Sequence, residues 1–152
     1  MKNWMILSLA LFSFVACKKD VNQPLVDQEK IEDYLKDNQL TAQVHPSGLH
    51  YILDEPLGTG EHPTSTDKVT VKYKGYLLDG TVFDQTTGDK TISFSLTNLI
   101  EGWKIGIPLL KEGGKGTFLL PSALGYGNFP PPGSVISANE VLLFDIELIS
   151  ID

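Results

Sequence analysis

The chain contains no arginine: its 12 basic residues are all lysine, set against 19 acidic ones for a net charge of −7. The forked guanidinium that reads phosphates and guanine edges is therefore missing, and nucleic-acid binding is excluded on charge as well. A single cysteine, Cys17, excludes an internal disulfide framework. The three histidines are scattered without metal-ligand spacing, so neither a metal nor a cofactor is expected. No serine, cysteine or histidine stands in an evident catalytic triad. Gly113-Gly114-Lys115-Gly116 is followed by a strand-like segment, which removes the helix N-terminus that a phosphate-binding loop would use. Whatever chemistry the chain performs is not nucleophilic. Its 152 residues, 41% of them hydrophobic, allow one ordinary domain and an extension. Fourteen glycines and nine prolines fit a turn-rich, largely β domain better than a helical bundle.

No apolar run reaches the ~20 residues of a membrane-spanning helix; Trp4 to Ala16 is about thirteen, the size of a secretory signal's apolar region. Ala16 directly before Cys17 resembles the lipobox of bacterial lipoproteins, in which the cysteine becomes the lipid attachment site. Several acyl chains on one residue anchor a protein stably where one does not. Phe14 departs from the leucine usual three residues before that cysteine. Lys18, standing where an aspartate would retain the protein, resembles the outer-membrane sorting pattern, and Lys18-Lys19-Asp20 is similar to the surface-export tags of some Bacteroidetes lipoproteins. The divisions expected are a lipoprotein signal peptide over 1–16, a tether over 17–26, an N-terminal helix with its linker over 27–46, and one domain over 47–152. The location implied is the cell envelope, on the outer membrane, facing the periplasm or the cell surface.

Between Asp27 and Gln39, Ile31, Tyr34 and Leu35 recur at helical spacing with charges between them, which predicts one amphipathic helix packed on the domain's flank or serving a partner or dimer contact. From Leu49 onward the pattern is that of strands. Val69, Val71 and Tyr73 alternate with Thr70, Lys72 and Lys74. Asp79-Gly80 signals a hairpin that returns Thr81 to Asp84 along the same strand. Ile92 to Leu96 and Thr117 to Leu120 are short strands. Glu140 to Ile151 is a long closing one, with Leu142, Phe144, Ile146 and Leu148 on one face. Ser122 to Gly133, with its glycines and three consecutive prolines, is a loop. Asn98 to Gly106 is too short to stand as an isolated helix. Asn98 or Thr97 is expected to cap it and Pro108 to close it, leaving Trp103 either as core or as a flat platform for a small ring. The fold class is α+β: an antiparallel sheet wrapped around one short helix, with an N-terminal amphipathic helix.

Four segments carry a family resemblance. Val71-Lys72-Tyr73-Lys74-Gly75-Tyr76-Leu77-Leu78-Asp79-Gly80-Thr81-Val82-Phe83-Asp84 resembles the V-x-Y-x-G-x-L-x-D-G-x-x-F-D pattern of FKBP-type peptidyl-prolyl isomerases. Leu99-Ile100-Glu101-Gly102-Trp103 is similar to their V/L-I-x-G-W segment, Gly125-Tyr126-Gly127 to their A/G-Y-G loop, and Leu143-Phe144-Asp145-Ile146-Glu147-Leu148 to their closing strand. The resemblance implies a sheet around one helix with a cleft between them, and non-covalent isomerisation of X-Pro bonds in exported proteins. On that basis Trp103 floors the cleft, with Tyr73, Phe83, Ile100 and Phe144 as walls, and Leu99, Phe94, Ile92 and Ile136 around them. Asp84 is the polar group of the cleft. The Ile100 N–H and the Tyr126 hydroxyl would each hold a substrate carbonyl.

The partners implied are proline-containing polypeptide clients and macrolide inhibitors, with the membrane reached through the lipid. The sequence leaves the clients and the oligomeric state open. Residues 85–90 lack the arginine that often pairs with the cleft aspartate, and Ser137 stands where a proline usually follows the isoleucine. The other class consistent with such a cleft is a low-turnover peptide-binding chaperone or assembly module. The short segment between Phe83 and Phe94 leaves no room for the inserted chaperone domain of some relatives.

Overall fold

Strict alternation in the strands places one face of a sheet against a core, and a computed structural model shows where that core lies. The structure describes residues 22–152. The apolar run Trp4–Ala16, the lipid-attachment candidate Cys17 and the first part of the tether lie outside the described residues.

Helix α1 (Gln23–Asp37) is followed by β1 (Gln43–Val44), β2 (His50–Leu53), β3 (Lys68–Leu77), β4 (Val82–Gln85), β5 (Ile92–Ser95), helix α2 (Glu101–Gly106), β6 (Lys115–Leu120) and β7 (Leu142–Ile151). The strands form one sheet in the order β1-β2-β6-β7-β3-β4, antiparallel at every pairing. Strand β5 also pairs with β3, over Lys68–Val71, while β4 pairs with it over Lys74–Tyr76, so the two share one edge of β3. The other edge lies along β7 from Val69 to Leu77.

One face of the sheet curls around α2. Val69, Val71, Phe118, Leu120, Leu142, Phe144, Ile146 and Leu148 lie there in a single buried cluster with Trp103 and Ile107. The opposite face carries a smaller apolar patch, Leu119, Val141 and Leu143, which α1 covers with Ile31, supported by Tyr34 and Leu35. The flank position expected for the amphipathic helix is the one observed. Leu119 and Leu143 interrupt the polar alternation of their strands because α1 sits over them.

Three local expectations change. α1 starts at Gln23, inside the segment read as tether, because Pro24 falls in its first turn, where a missing N–H breaks no helical bond. β6 begins at Lys115, two residues earlier than the glycine run suggests, with Gly116 paired to Leu53. Neither Thr97 nor Asn98 caps α2; the cap position is Ile100, without a side-chain bond, and Asn98 ends a 3₁₀ turn just before it. Pro108 lies in a 3₁₀ turn that ends the helical run, as its fixed φ favours.

Candidate functional site

Tyr73 continues the inward alternation of Val69 and Val71 on β3. Beyond it the register runs Gly75 opposite Asp84 and then Tyr76 opposite Val82, so Phe83 is an extra residue on β4. This bulge explains how two consecutive residues, Phe83 and Asp84, both reach the cleft, which a regular strand forbids. Gly75 is required by the same arrangement: a Cβ there would lie 2.6 Å from the Phe83 ring and 2.9 Å from that of Phe144. Thr86 prolongs the pairing, its N–H donating to the Tyr73 carbonyl at 2.9 Å and its hydroxyl oxygen accepting from the Tyr73 N–H at 3.1 Å. The hairpin itself turns at Gly80, φ +86°, where Asp79 accepts from the Thr81 N–H at 2.8 Å.

Helix α2 approaches the sheet closely because Gly102 lies against Leu120 and Gly106 against Phe118; a side chain at either would collide with them. The approach brings Trp103, 5% exposed, into a box of rings. Tyr73, Phe94 and Phe144 stand edge-on to it at centroid distances of 5.1, 5.7 and 5.4 Å. Phe83 meets Phe144 in the same way at 5.5 Å. Edge-to-face contacts of this kind add about 0.5–1.5 kcal/mol each beyond the area they bury. The indole Nε1 is buried and has no hydrogen-bond partner among the described residues.

These residues enclose a cavity of about 440 Å³ lined by Tyr73, Phe83, Asp84, Phe94, Leu99, Ile100, Trp103, Tyr126, Ile136 and Phe144. Ten of the eleven cleft residues expected from the sequence are thereby brought together. Ile92 is the exception: it lies opposite Val71 at the start of edge strand β5, remains 40% exposed, and does not line the cavity. Asn98, Pro131 and Ser134 complete the rim and were missed by the sequence reading. In the sequence Asn98 reads, with Thr97, as a helix cap, and nothing in the pattern of the broken loop shows which of its residues turn inward.

The polar groups sit at the mouth. The Tyr73 hydroxyl donates to Oδ2 of Asp84, so a phenol holds the carboxylate where an arginine is lacking. Among the described residues no lysine forms an ion pair with Asp84; the pairs present are Lys72–Asp89, Lys104–Glu101 and Lys115–Glu147. Burial, then the bond to Asp84 and its charge, push the Tyr73 phenol well above its ordinary value. The Tyr126 phenol is also raised, by burial first and by the Asp84 charge second. Both are hydroxyl donors at neutral pH. The Tyr126 hydroxyl and the Ile100 N–H make no hydrogen bond among the described residues, leaving two donors beside an apolar box. Such a site can bind a compact apolar ring while holding carbonyl oxygens on either side, and among the described residues its Ser134 hydroxyl is bonded to the Ile136 N–H rather than to a base.

The raised phenol has a consequence for stability. Below the ordinary tyrosine value of 10.0 Tyr73 is neutral in both folded and unfolded chains and adds no pH dependence. As the pH rises past that value the unfolded chain loses this proton first, so stability falls until the folded phenol also ionises. Denaturant midpoints measured from pH 8 to pH 11 should therefore decline less steeply in Tyr73→Phe than in the wild type. Equal slopes would show that Tyr73 is not buried against Asp84.

Residues 59–149 match the family model described as FKBP-type peptidyl-prolyl cis-trans isomerase. A probable FKBP-type peptidyl-prolyl cis-trans isomerase FkpA of Neisseria meningitidis is 40% identical over 139 residues, which is 90% of this chain and 50% of that protein. The outer membrane protein MIP of Legionella longbeachae is 43% identical over 110 residues, 71% of this chain and 46% of that one. Among solved structures, the crystal structure of FkpA from Escherichia coli superposes with a TM-score of 0.72 at 36% identity, over 82% of this chain and 58% of that one. The chain thus spans about half the length of these curated relatives. The sheet wrapped on one helix, the ring-walled cleft and the match across residues 59–149 agree: the chain belongs to the FKBP-type peptidyl-prolyl cis-trans isomerase family.

Proposed function

We propose that this chain accelerates cis-trans isomerisation of X-Pro bonds in polypeptides by binding the proline ring in the Trp103 cleft. Rotation about such a bond passes over a barrier of ~18–20 kcal/mol because the imide loses its resonance at the twist. Unaided it takes tens to hundreds of seconds. The planar imide is stabilised by charge separation between nitrogen and oxygen, and the twisted one has lost much of it. An apolar box therefore disfavours the planar form more than the twisted one and lowers the barrier with no acid, base or covalent intermediate. The observation that carries this reading is the edge-on enclosure of the cleft by Tyr73, Phe94 and Phe144 around Trp103. The Ile100 N–H and the Tyr126 hydroxyl hold the carbonyls flanking the proline, so binding energy fixes the chain on both sides while the bond turns. Asp84, held by Tyr73, provides a fixed negative charge at the mouth. The same cleft is the place for macrolide inhibitors, which the family resemblance implies.

Supporting an envelope location are the Ala16-Cys17 junction after the apolar run and the likeness to a relative whose name places it in an outer membrane. In this reading the chain is a lipoprotein whose signal peptide, 1–16, is removed, leaving acylated Cys17 to tether the domain to the membrane. Its clients are exported proteins whose folding waits on proline.

Exchange of a short X-Pro peptide, followed by NMR with the purified protein, should be accelerated by the wild type. Trp103→Ala should lower the rate at least tenfold, equivalent to about 1.4 kcal/mol, and Asp84→Ala several-fold. Peptide binding without acceleration by the folded wild type would replace this reading with that of a low-turnover peptide-binding module. For the anchor, Cys17→Ala should move the secreted protein from the membrane fraction to the soluble one, and its retention in the membrane would refute lipid attachment at that residue.

A further inference from the structure

Helix α1 is attached to the domain in two places of different chemistry. Its C-terminal half lies on the sheet through Ile31, Tyr34 and Leu35. Its N-terminal half is joined through one buried acid, Asp27, which is 1% exposed. A carboxylate withdrawn from water is costly unless its oxygens are hydrogen-bonded. Here Oδ2 accepts from the Ser122 hydroxyl at 2.6 Å and from the Ser122 N–H at 2.9 Å, while Oδ1 accepts from Nε2 of Gln23 at 2.7 Å.

Ser122, itself 2% exposed, opens the loop that carries Tyr126. Its carbonyl accepts from the Gly125 N–H at 3.0 Å and from the Gly127 N–H at 2.9 Å, so it grips both neighbours of Tyr126. The path from Asp27 to the cleft is then its own side chain, residue Ser122 from its N–H and hydroxyl to its carbonyl, and the two N–H groups flanking the tyrosine. Beside this path lies a hollow of about 520 Å³, lined by residues of α1 and of the loop that include Gln23, His50, Gly127 and Asn139.

We propose that Asp27 is a positioning residue for the cleft, fixing through Ser122 the place of the Tyr126 hydroxyl and thereby coupling α1 to the substrate contact. The proposal rests on the isomerase reading for its effect on rate, and on the hydrogen-bonded path alone for its effect on the loop. A merely structural Asp27 would stabilise the helix without regard to Tyr126, and the two roles separate in a double-mutant cycle.

The experiment compares kcat and KM for an X-Pro peptide in Asp27→Ala, Tyr126→Phe and the double variant, together with amide resonances of Gly125 and Gly127 in the peptide-free protein. Asp27→Ala should lower kcat/KM about fivefold, the double variant should be no slower than Tyr126→Phe, and the Gly125 and Gly127 resonances should move in Asp27→Ala. Asp27→Asn, which keeps an acceptor oxygen, should restore most of the rate. Should Asp27→Ala fail to fold, Ser122→Ala serves in its place, losing the hydroxyl bond but keeping the N–H bond, with a smaller loss in the same direction. Additive losses in the double variant, or unmoved Gly125 and Gly127 resonances, would overturn the proposal. A wild type without isomerase activity would refute the proposed function while the resonances still decide the positioning role.

Discussion

The close approach of one helix to the inner face of the sheet is the constraint from which the cleft follows. α2 has six residues, too few to hold its own conformation, and it persists because the surrounding strands bury it. Burial at that distance is allowed only because Gly102 and Gly106 face Leu120 and Phe118 without side chains. The approach sets Trp103 edge-on between rings from β3, β5 and β7, and those rings leave a hollow above the indole. Gly75 completes the geometry from the other side by making room for Phe83 and Phe144.

Tyr73 contributes its ring to the wall of this hollow and its hydroxyl to Asp84. One residue thus joins the apolar and polar parts of the site. The arrangement also answers the departure from the family's pattern, since a chain with no arginine at all still restrains its cleft carboxylate by hydrogen bonding. The remaining donors, at Ile100 and Tyr126, come from opposite sides: the start of α2, and a loop braced from behind by Ser122 and α1.

Much of this was legible in the sequence because strand alternation and the short tryptophan segment are local signals. Val69, Val71 and Tyr73 share a face for a reason visible in three letters of pattern, and the Asp79-Gly80 turn fixes which strand returns to pair with them. What was not legible depends on register and on long-range contact. The bulge that turns both Phe83 and Asp84 into the cleft exists only in the pairing of β4 with β3. Ile92 reads like Phe94, on the same face of β5, yet the two differ in exposure because only Phe94 reaches the indole. Asp27 sits among the charged residues of an amphipathic helix, and no spacing rule distinguishes the one acid that is buried against Ser122 from those in water. Leu119 and Leu143 did break the polar alternation, a signal that the outer face of the sheet is covered.

The central claim is that the cleft above Trp103 recognises proline within a polypeptide. Its most direct test is titration of the labelled protein with a short X-Pro peptide and with the same peptide carrying alanine for proline, observing the Trp103 indole N–H and the Ile100 amide. The proline peptide should shift both resonances in a saturable way, and the alanine peptide should shift neither at the same concentration. Equal shifts from the two peptides, or none from the proline peptide, would contradict the account.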